Sequence, residues 1–443
     1  MRKWEPQLRI LYFAPRLCVP TNTGAHLRNF HLTRELSQSA RVVFLSFPNQ
    51  DSETAVDTDE TKEWGVQRVV TVPRAGGYSA GKILRGAVGK TPLPILNYTT
   101  DDMHETLARL LDEEDFHIVQ IESVQLSAYL PTIRRARSKP SIICDWHNVE
   151  SELMQRYSEH ATNPARKMYA RMTARRLEAV ERRVLRDCDA HFTVSQRDRL
   201  RLLEMNPKAQ ISVADNGVDA RHYSPQACQK AYEHWLNSLS DNSLKNRSAI
   251  NGRPRLLFVG SMDYHANIDA ALYFANEIWS EVYQKHPEMI FTIVGRNPAK
   301  VVQELANLPG IEVTGTVDDV RPFYAEAFAS VVPLRVGGGS RLKILESMAA
   351  GVPVISTRLG AEGIAVCDGE NILLADSQAS LAQHISQVLI NRELQNKLSQ
   401  AAQTLVHKGY DWSAIGSVLL NAYAKLSQAN RWSFESTGVT LTS

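Results

Sequence analysis

The stretch Val332-Pro333-Leu334-Arg335-Val336-Gly337-Gly338-Gly339-Ser340-Arg341-Leu342-Lys343-Ile344-Leu345-Glu346 joins an apolar run to a helical one through three consecutive glycines. An apolar, β-branched run without a polar face reads as a strand buried on both sides, and Leu342, Leu345 and Ala349 follow it at helical spacing. Gly351 ends that helix tightly before Val352-Pro353-Val354-Ile355-Ser356, the next apolar run. A strand, a tight turn, a helix and a second strand make a crossover unit. The class is therefore α/β, with parallel strands and helices on both faces of the sheet.

Outward from this unit the alternation continues. Strands over 255–260, 290–295, 329–334 and 352–357, separated by helices over 266–284 and 341–350, predict one doubly wound domain. Upstream, strands over 8–14, 42–47, 116–121, 141–145 and 190–195 alternate with helices over 25–38, 101–111, 124–137 and 149–186, predicting a second. The chain of 443 residues, 43% of them hydrophobic, is longer than one core normally organises. The expected division is a Rossmann-like domain over 1–220, a linker and polar insertion over 221–253, and a second Rossmann-like domain over 254–408. In the insertion Asp241, Asn242, Ser243, Lys245 and Asn246 cannot build a core. Trp412, Ile415, Leu419, Tyr423 and Leu426 fall at helical intervals, so 409–428 reads as a helix crossing back to the first domain. The Ser/Thr-rich end, 429–443, reads as a disordered tail.

A formal charge of +2 offers no global attraction to nucleic acid or membrane. The five cysteines, Cys18, Cys144, Cys188, Cys228 and Cys367, are scattered and odd in number, which argues against a disulfide framework and for a reducing compartment. Residues 1–17 are too interrupted by charge for a signal peptide, and no run approaches the ~18 apolar residues of a spanning helix. The expected location is cytoplasmic, with peripheral contact at the inner membrane face as the variant.

Arg341 and Lys343 open a helix, where cations oppose the helix dipole and an anion would relieve the conflict. Glycine amides, a helix start and two cations together suit a diphosphate. The P-loop order is absent, and a glycine-rich turn with solvated basic residues is the competing reading. Glu346, one turn further on, is placed to accept hydrogen bonds from a ribose diol, or else it lies on a solvated face.

The block from Gly337 to Thr357, with Gly360, Ala361, Glu362 and Gly363, resembles the donor-binding signature of retaining GT-B glycosyltransferases of family 4, in the form GGG-S-RLKILE. Asn216-Gly217-Val218-Asp219, Phe258-Val259-Gly260-Ser261, Ile293-Val294-Gly295 and Gly315-Thr316-Val317-Asp318-Asp319 carry further matches. The resemblance implies two Rossmann-like domains facing an interdomain cleft, an acceptor-side N-terminal domain and a C-terminal domain that binds the nucleotide-sugar. It places Glu346 on the ribose, Arg341 and Lys343 at the diphosphate, the Val317 backbone at the base, and Gly260, Ser261, Gly295, Gly338, Gly339 and Ser340 around the donor. Two positions depart from the family pattern. Gly338 stands where the first Glu of an E-x7-E pair is common, and Ser261-Met262-Asp263-Tyr264-His265-Ala266-Asn267 stands where an Arg and a Lys are usual.

In the N-terminal half, Thr21-Asn22-Thr23-Gly24-Ala25-His26 links the first strand to a helix, and a glycine there lets a ligand approach the backbone. By the resemblance Gly24 faces the donor pyrophosphate, and His26 falls on the acceptor side. Asp145-Trp146-His147-Asn148-Val149-Glu150 ends another strand and is similar to the family's D-x-H-N-x-E segment, whose His contacts the donor sugar. Asp145 is a candidate to fix the imidazole tautomer. Glu122, at the end of the strand over 116–121, is an acceptor-side candidate.

Arg166, Lys167, Arg171, Arg175, Arg176, Arg182, Arg183 and Arg186 make the helix over 166–186 basic. It is either a solvated face or a contact for anionic lipid, since several enzymes of the resembled family act on lipid-linked acceptors at the membrane surface. No motif demands a metal or a resident cofactor, so leaving-group charge falls to Arg341, Lys343 and helix-start amides. The resemblance implies sugar transfer with retention from a UDP- or GDP-sugar to a saccharide or lipid-linked acceptor, in cell-surface or extracellular polysaccharide synthesis. A nucleotide-sugar epimerase or hydrolase on the same fold, and a binding protein without turnover, are the rival readings.

Overall fold

The computed structural model describes residues 8–21, 23–49, 64–74, 86, 89, 91–160, 163–238, 252–336 and 341–430. The chain divides into two compact units. One runs to Asp215 and takes the chain back from Ile415, and the other is Asn216–Ala414.

The first unit holds a parallel seven-stranded sheet in the order β3-β2-β1-β4-β5-β6-β7. Its strands are β1 (Leu8–Ala14), β2 (Ala40–Ser46), β3 (Arg68–Thr71), β4 (Ile118–Glu122), β5 (Ser141–Trp146), β6 (Ala190–Thr193) and β7 (Ile211–Val213). Every residue of β4, β5 and β6 is buried, as a sheet covered on both faces requires. The order reverses between β1 and β4, which is the switch point of a doubly wound sheet. Helix α1 (Gly24–Ser37) follows β1, with Thr23 as its cap accepting from the His26 amide at 3.2 Å.

The helix expected over 149–186 is two helices, α2 (Glu150–His160) and α3 (Pro164–Asp187). The reason is local. Asn163 caps α3 through its side chain, accepting from the Ala165 and Arg166 amides, and Pro164 takes the first helical position. The helix expected over 124–137 likewise appears as a 3-10 turn, Val124–Tyr129, followed by the short helix Leu130–Arg134.

The second unit repeats the plan with six parallel strands in the order β10-β9-β8-β11-β12-β13. These are β8 (Arg255–Val259), β9 (Ile290–Val294), β10 (Ile311–Gly315), β11 (Ala327–Val332), β12 (Val354–Ser356) and β13 (Leu373–Leu374). Its switch point lies between β8 and β11. Helix α4 (His265–Glu277) follows β8, α5 (Arg321–Glu326) precedes β11, and α6 (Leu342–Ala349) follows it. Within the stretch expected as linker and insertion, Pro225–Ser238 is helical and packs against α5, with the Trp235 and Phe323 rings 5.9 Å apart.

The last helix, α7 (Trp412–Asn430), buries Trp412, Ile415, Leu419, Tyr423 and Leu426. From Ile415 onward it belongs to the first unit. Gly416 permits the approach to α1, since a Cβ there would stand 2.8 Å from that of Glu35. Among the described residues, no helix is long and apolar enough to cross a membrane.

Candidate active site

In the first unit the carboxyl ends of β1, β4 and β5 open into a cavity of about 520 Å³. Arg16, His26, Asn29, Tyr98, Glu122 and His147 are among its lining residues. Glu122, the last residue of β4, is fully buried, and its Oε2 lies 2.7 Å from Nε2 of His147, which follows β5. Its other oxygen accepts from the Gln120 amide at 2.7 Å. Ser123, directly after Glu122, sits at φ 85°, a left-handed conformation unusual for a residue with a Cβ, and its amide donates to the Asp145 carbonyl at 2.8 Å. His26 also reaches the cavity, with Nδ1 3.0 Å from the Pro20 carbonyl, and burial lowers its pKa.

Asp145 does not hold the imidazole. Both its oxygens are engaged by Arg28 of α1, Nη2 at 2.8 and 3.1 Å and Nε at 3.1 Å, and Arg28 also donates to the Asp215 carbonyl at 2.9 Å. Arg28 and Asp145 are 1% and 0% exposed. The partner of His147 is therefore Glu122, and Arg28 is the residue that sequence reading missed. An arginine inside a helical run carries no signal until the sheet brings Asp145 opposite it.

Glu122, Asp145 and His147 bring ligand-type atoms within 4.8 Å of one another. They make a poor cation site. Arg28 already engages both oxygens of Asp145, and both Glu122 oxygens are bonded, one to the imidazole and one to Gln120.

In the second unit α6 follows the end of β11, and Arg341 is its cap residue rather than a residue of its first turn. Gly338, Gly339 and Ser340 lie outside the described residues. The Lys343 ammonium stands 2.5 Å from Asn267 Oδ1 and 4.8 Å above the Phe258 ring, at the end of β8. Burial pushes its pKa down to about 7, with the Glu346 charge opposing and that of Arg341 adding. Arg341, 8% exposed, donates to the Leu359 carbonyl at 2.8 Å and lies 3.6 Å from Glu362. Its Nε is buried without a hydrogen-bond partner among the described residues.

Glu346 accepts from the Tyr324 hydroxyl at 3.0 Å and from Tyr223 as well. Burial raises its pKa, while Tyr324, Lys343 and Tyr223 pull it back. Lys343 and Glu346 act on each other electrostatically, and the two tyrosines that frame Glu346 were not foreseen. Gly260 and Gly295 meet backbone to backbone: a Cβ on Gly295 would lie 1.7 Å from the Gly260 carbonyl oxygen. A Cβ on Gly260 would lie 2.8 Å from Asn267 Nδ2 and 3.0 Å from Lys343 Nζ. Ser261 accepts from Arg296 at 3.0 Å, and Val317 packs on the small core beside Tyr324. Gly24 is the exposed first residue of α1.

Comparison with known proteins adds the family. Residues 29–222 match the family model "Glycosyltransferase Family 4", and 253–391 match "Glycosyl transferases group 1". The phosphatidyl-myo-inositol mannosyltransferase of Mycobacterium leprae is 29% identical over 214 residues, 46% of this chain and 56% of that protein. The chain spans about half the length of the curated relatives it matches. Sucrose-phosphate synthase from Thermosynechococcus elongatus superposes with a TM-score of 0.64 at 16% identity, over 96% of this chain and 100% of that one. Anabaena HepE in complex with UDP and glucose superposes with a TM-score of 0.60 at 14% identity, over 94% and 99%. At these identities the likeness is one of fold, the two Rossmann-like domains of GT-B proteins.

Proposed function

Because the chain belongs through both of its domains to the glycosyltransferases, we propose that it moves a glycosyl group from a UDP- or GDP-linked sugar to a saccharide or lipid-linked acceptor, with retention of anomeric configuration. The carrying observation is the cluster on α6, where Lys343 and Glu346 stand at the β8/β11 switch point beside the buried Nε of Arg341, which has no hydrogen-bond partner among the described residues. In this reading Glu346 grips the ribose, and Lys343 and Arg341 neutralise the diphosphate as it leaves. His147, held by Glu122, contacts the donor sugar, and the cavity of the first unit takes the acceptor. The departing phosphate assists removal of the acceptor proton, so that no covalent nucleophile and no metal takes part. The place of the reaction is cell-surface or extracellular polysaccharide synthesis, at the inner face of the membrane.

The test is a thermal-shift screen against UDP- and GDP-sugars, followed by transfer to a saccharide panel with NMR of the product anomer. Stabilisation by one nucleotide-sugar and a product of unchanged anomeric configuration support the reading. An inverted product removes retention, and turnover without acceptor converts the assignment to a hydrolase or epimerase.

A further inference from the structure

Four side chains connect the last helix of the chain to the cavity of the first unit. The Tyr423 hydroxyl donates to Gln120 Oε1, Gln120 Nε2 donates to Glu122 Oε1 at 2.7 Å, and Glu122 Oε2 meets His147 Nε2 at 2.7 Å. Tyr423, Gln120 and Glu122 are each 0% exposed, and only the His147 side chain retains surface, 20%.

The chain has a direction. A carboxylate only accepts, so Gln120 must turn its amide hydrogens towards Glu122 and its oxygen towards Tyr423, whose hydroxyl then donates. The same carboxylate faces Nε2, so the tautomer that fits this bond carries its proton on Nε2 and leaves Nδ1 as an acceptor. Tyr12 of β1 lies close to Glu122 but donates its hydroxyl to Asn29 Oδ1 at 3.3 Å, so the carboxylate is held through Gln120 from α7. Without the Tyr423 hydroxyl, the Gln120 oxygen would be buried and unpaired, and its amide could turn over and release Glu122.

We propose that Tyr423 is a positioning residue for His147, setting through Gln120 and Glu122 which ring nitrogen carries the proton. The proposal rests on the assignment of His147 to the donor sugar and deepens it: the residue that orients the imidazole comes from the far end of the chain.

The test compares Tyr423→Phe, which removes only the hydroxyl, with Leu426→Ala, which weakens the docking of the same helix about one turn away. Spectra of the full-length protein with 15N-labelled histidine report the His147 tautomer, its signals assigned by their loss in His147→Gln. The expected result is an Nε2-protonated ring in the wild type and in Leu426→Ala, and mixed tautomers in Tyr423→Phe. With donor and acceptor in hand, Tyr423→Phe lowers kcat about tenfold while donor KM stays within about twofold. An unchanged His147 spectrum in Tyr423→Phe overturns the proposal, as does loss of activity that only follows Tm in both variants. The spectra need no substrate, so failure to find any donor strikes the proposed function and leaves this arm to be judged on its own.

Discussion

The guanidinium of Arg28 spans both carboxylate oxygens of Asp145, locking α1 to the end of β5 inside the first unit and reaching on to the Asp215 carbonyl. With both groups out of water, loss of one leaves the other charged and unpaired. Arg28→Met is expected to cost about 3–5 kcal/mol of stability, read as a lower denaturation midpoint. The double variant Arg28→Met/Asp145→Leu should recover much of that loss.

The Glu346 carboxylate is buried at a cost, since burial raises its pKa despite two tyrosine donors and Lys343. Glu346→Gln keeps the shape and removes the charge. Donor affinity should fall at least about tenfold, the scale of a lost charged hydrogen bond, while the Tm of the free protein stays the same or rises. Isothermal titration with the best nucleotide-sugar, beside a melting curve, checks both.

With Lys343 at the diphosphate as proposed, donor binding should depend on pH. In the free protein its pKa lies at about 7, below the usual lysine value, and a diphosphate beside it would favour the ammonium. Binding above pH 7 therefore takes up a proton, and affinity should fall as pH rises from about 7 to 9, by at most about tenfold per unit. Folding has the opposite trend. The unfolded chain keeps this proton to about pH 10.4, so on this group alone stability is full above that value and is lost as pH falls towards 7. Lys343→Met should flatten both dependences.

Gly295 is required by the backbone approach at the end of β9, whatever it does for a ligand. Gly295→Ala would drive a Cβ to 1.7 Å from the Gly260 oxygen, which the paired strands cannot yield without moving. The variant should lose about 3 kcal/mol or more, or fail to fold, in equilibrium denaturation.

Helix α3 exposes Arg171, Arg175 and Arg186 on one face and Arg166 in its first turn, along with Met168 at 71% exposure and, on α2, Tyr157 at 53%. Arg182 and Arg183 pair instead with Glu178 and Asp187. Sedimentation with vesicles rich in anionic lipid should carry the protein down at low salt and release it at high salt, with no binding to neutral vesicles. Replacing Arg166, Arg171 and Arg175 with Gln should abolish the effect. Equal binding to neutral vesicles, or none at all, rejects lipid contact.

Strands with both faces covered need apolar residues at most positions, and that pattern survives in the sequence, as the near-continuous apolar runs within 8–14, 141–145 and 290–294 show. Short edge strands such as Arg68–Thr71 and Leu373–Leu374 pass unnoticed, because so few residues carry no periodicity. The break between α2 and α3 was legible in Asn163-Pro164, a cap followed by a first-turn proline, but the polar, helix-forming residues on either side mask it.

Sequence alone determined the α/β class, the two domains and the residues of α6 that carry charge, since hydrophobic period, glycine placement and ion type are properties of neighbours along the chain. Tertiary structure alone decided the partners. Arg28 for Asp145, Glu122 for His147, Tyr324 for Glu346 and Tyr423 for Gln120 are separated by 117, 25, 22 and 303 positions. No local pattern encodes such pairs, because a buried polar group is satisfied by whichever donor the folded sheet brings opposite it.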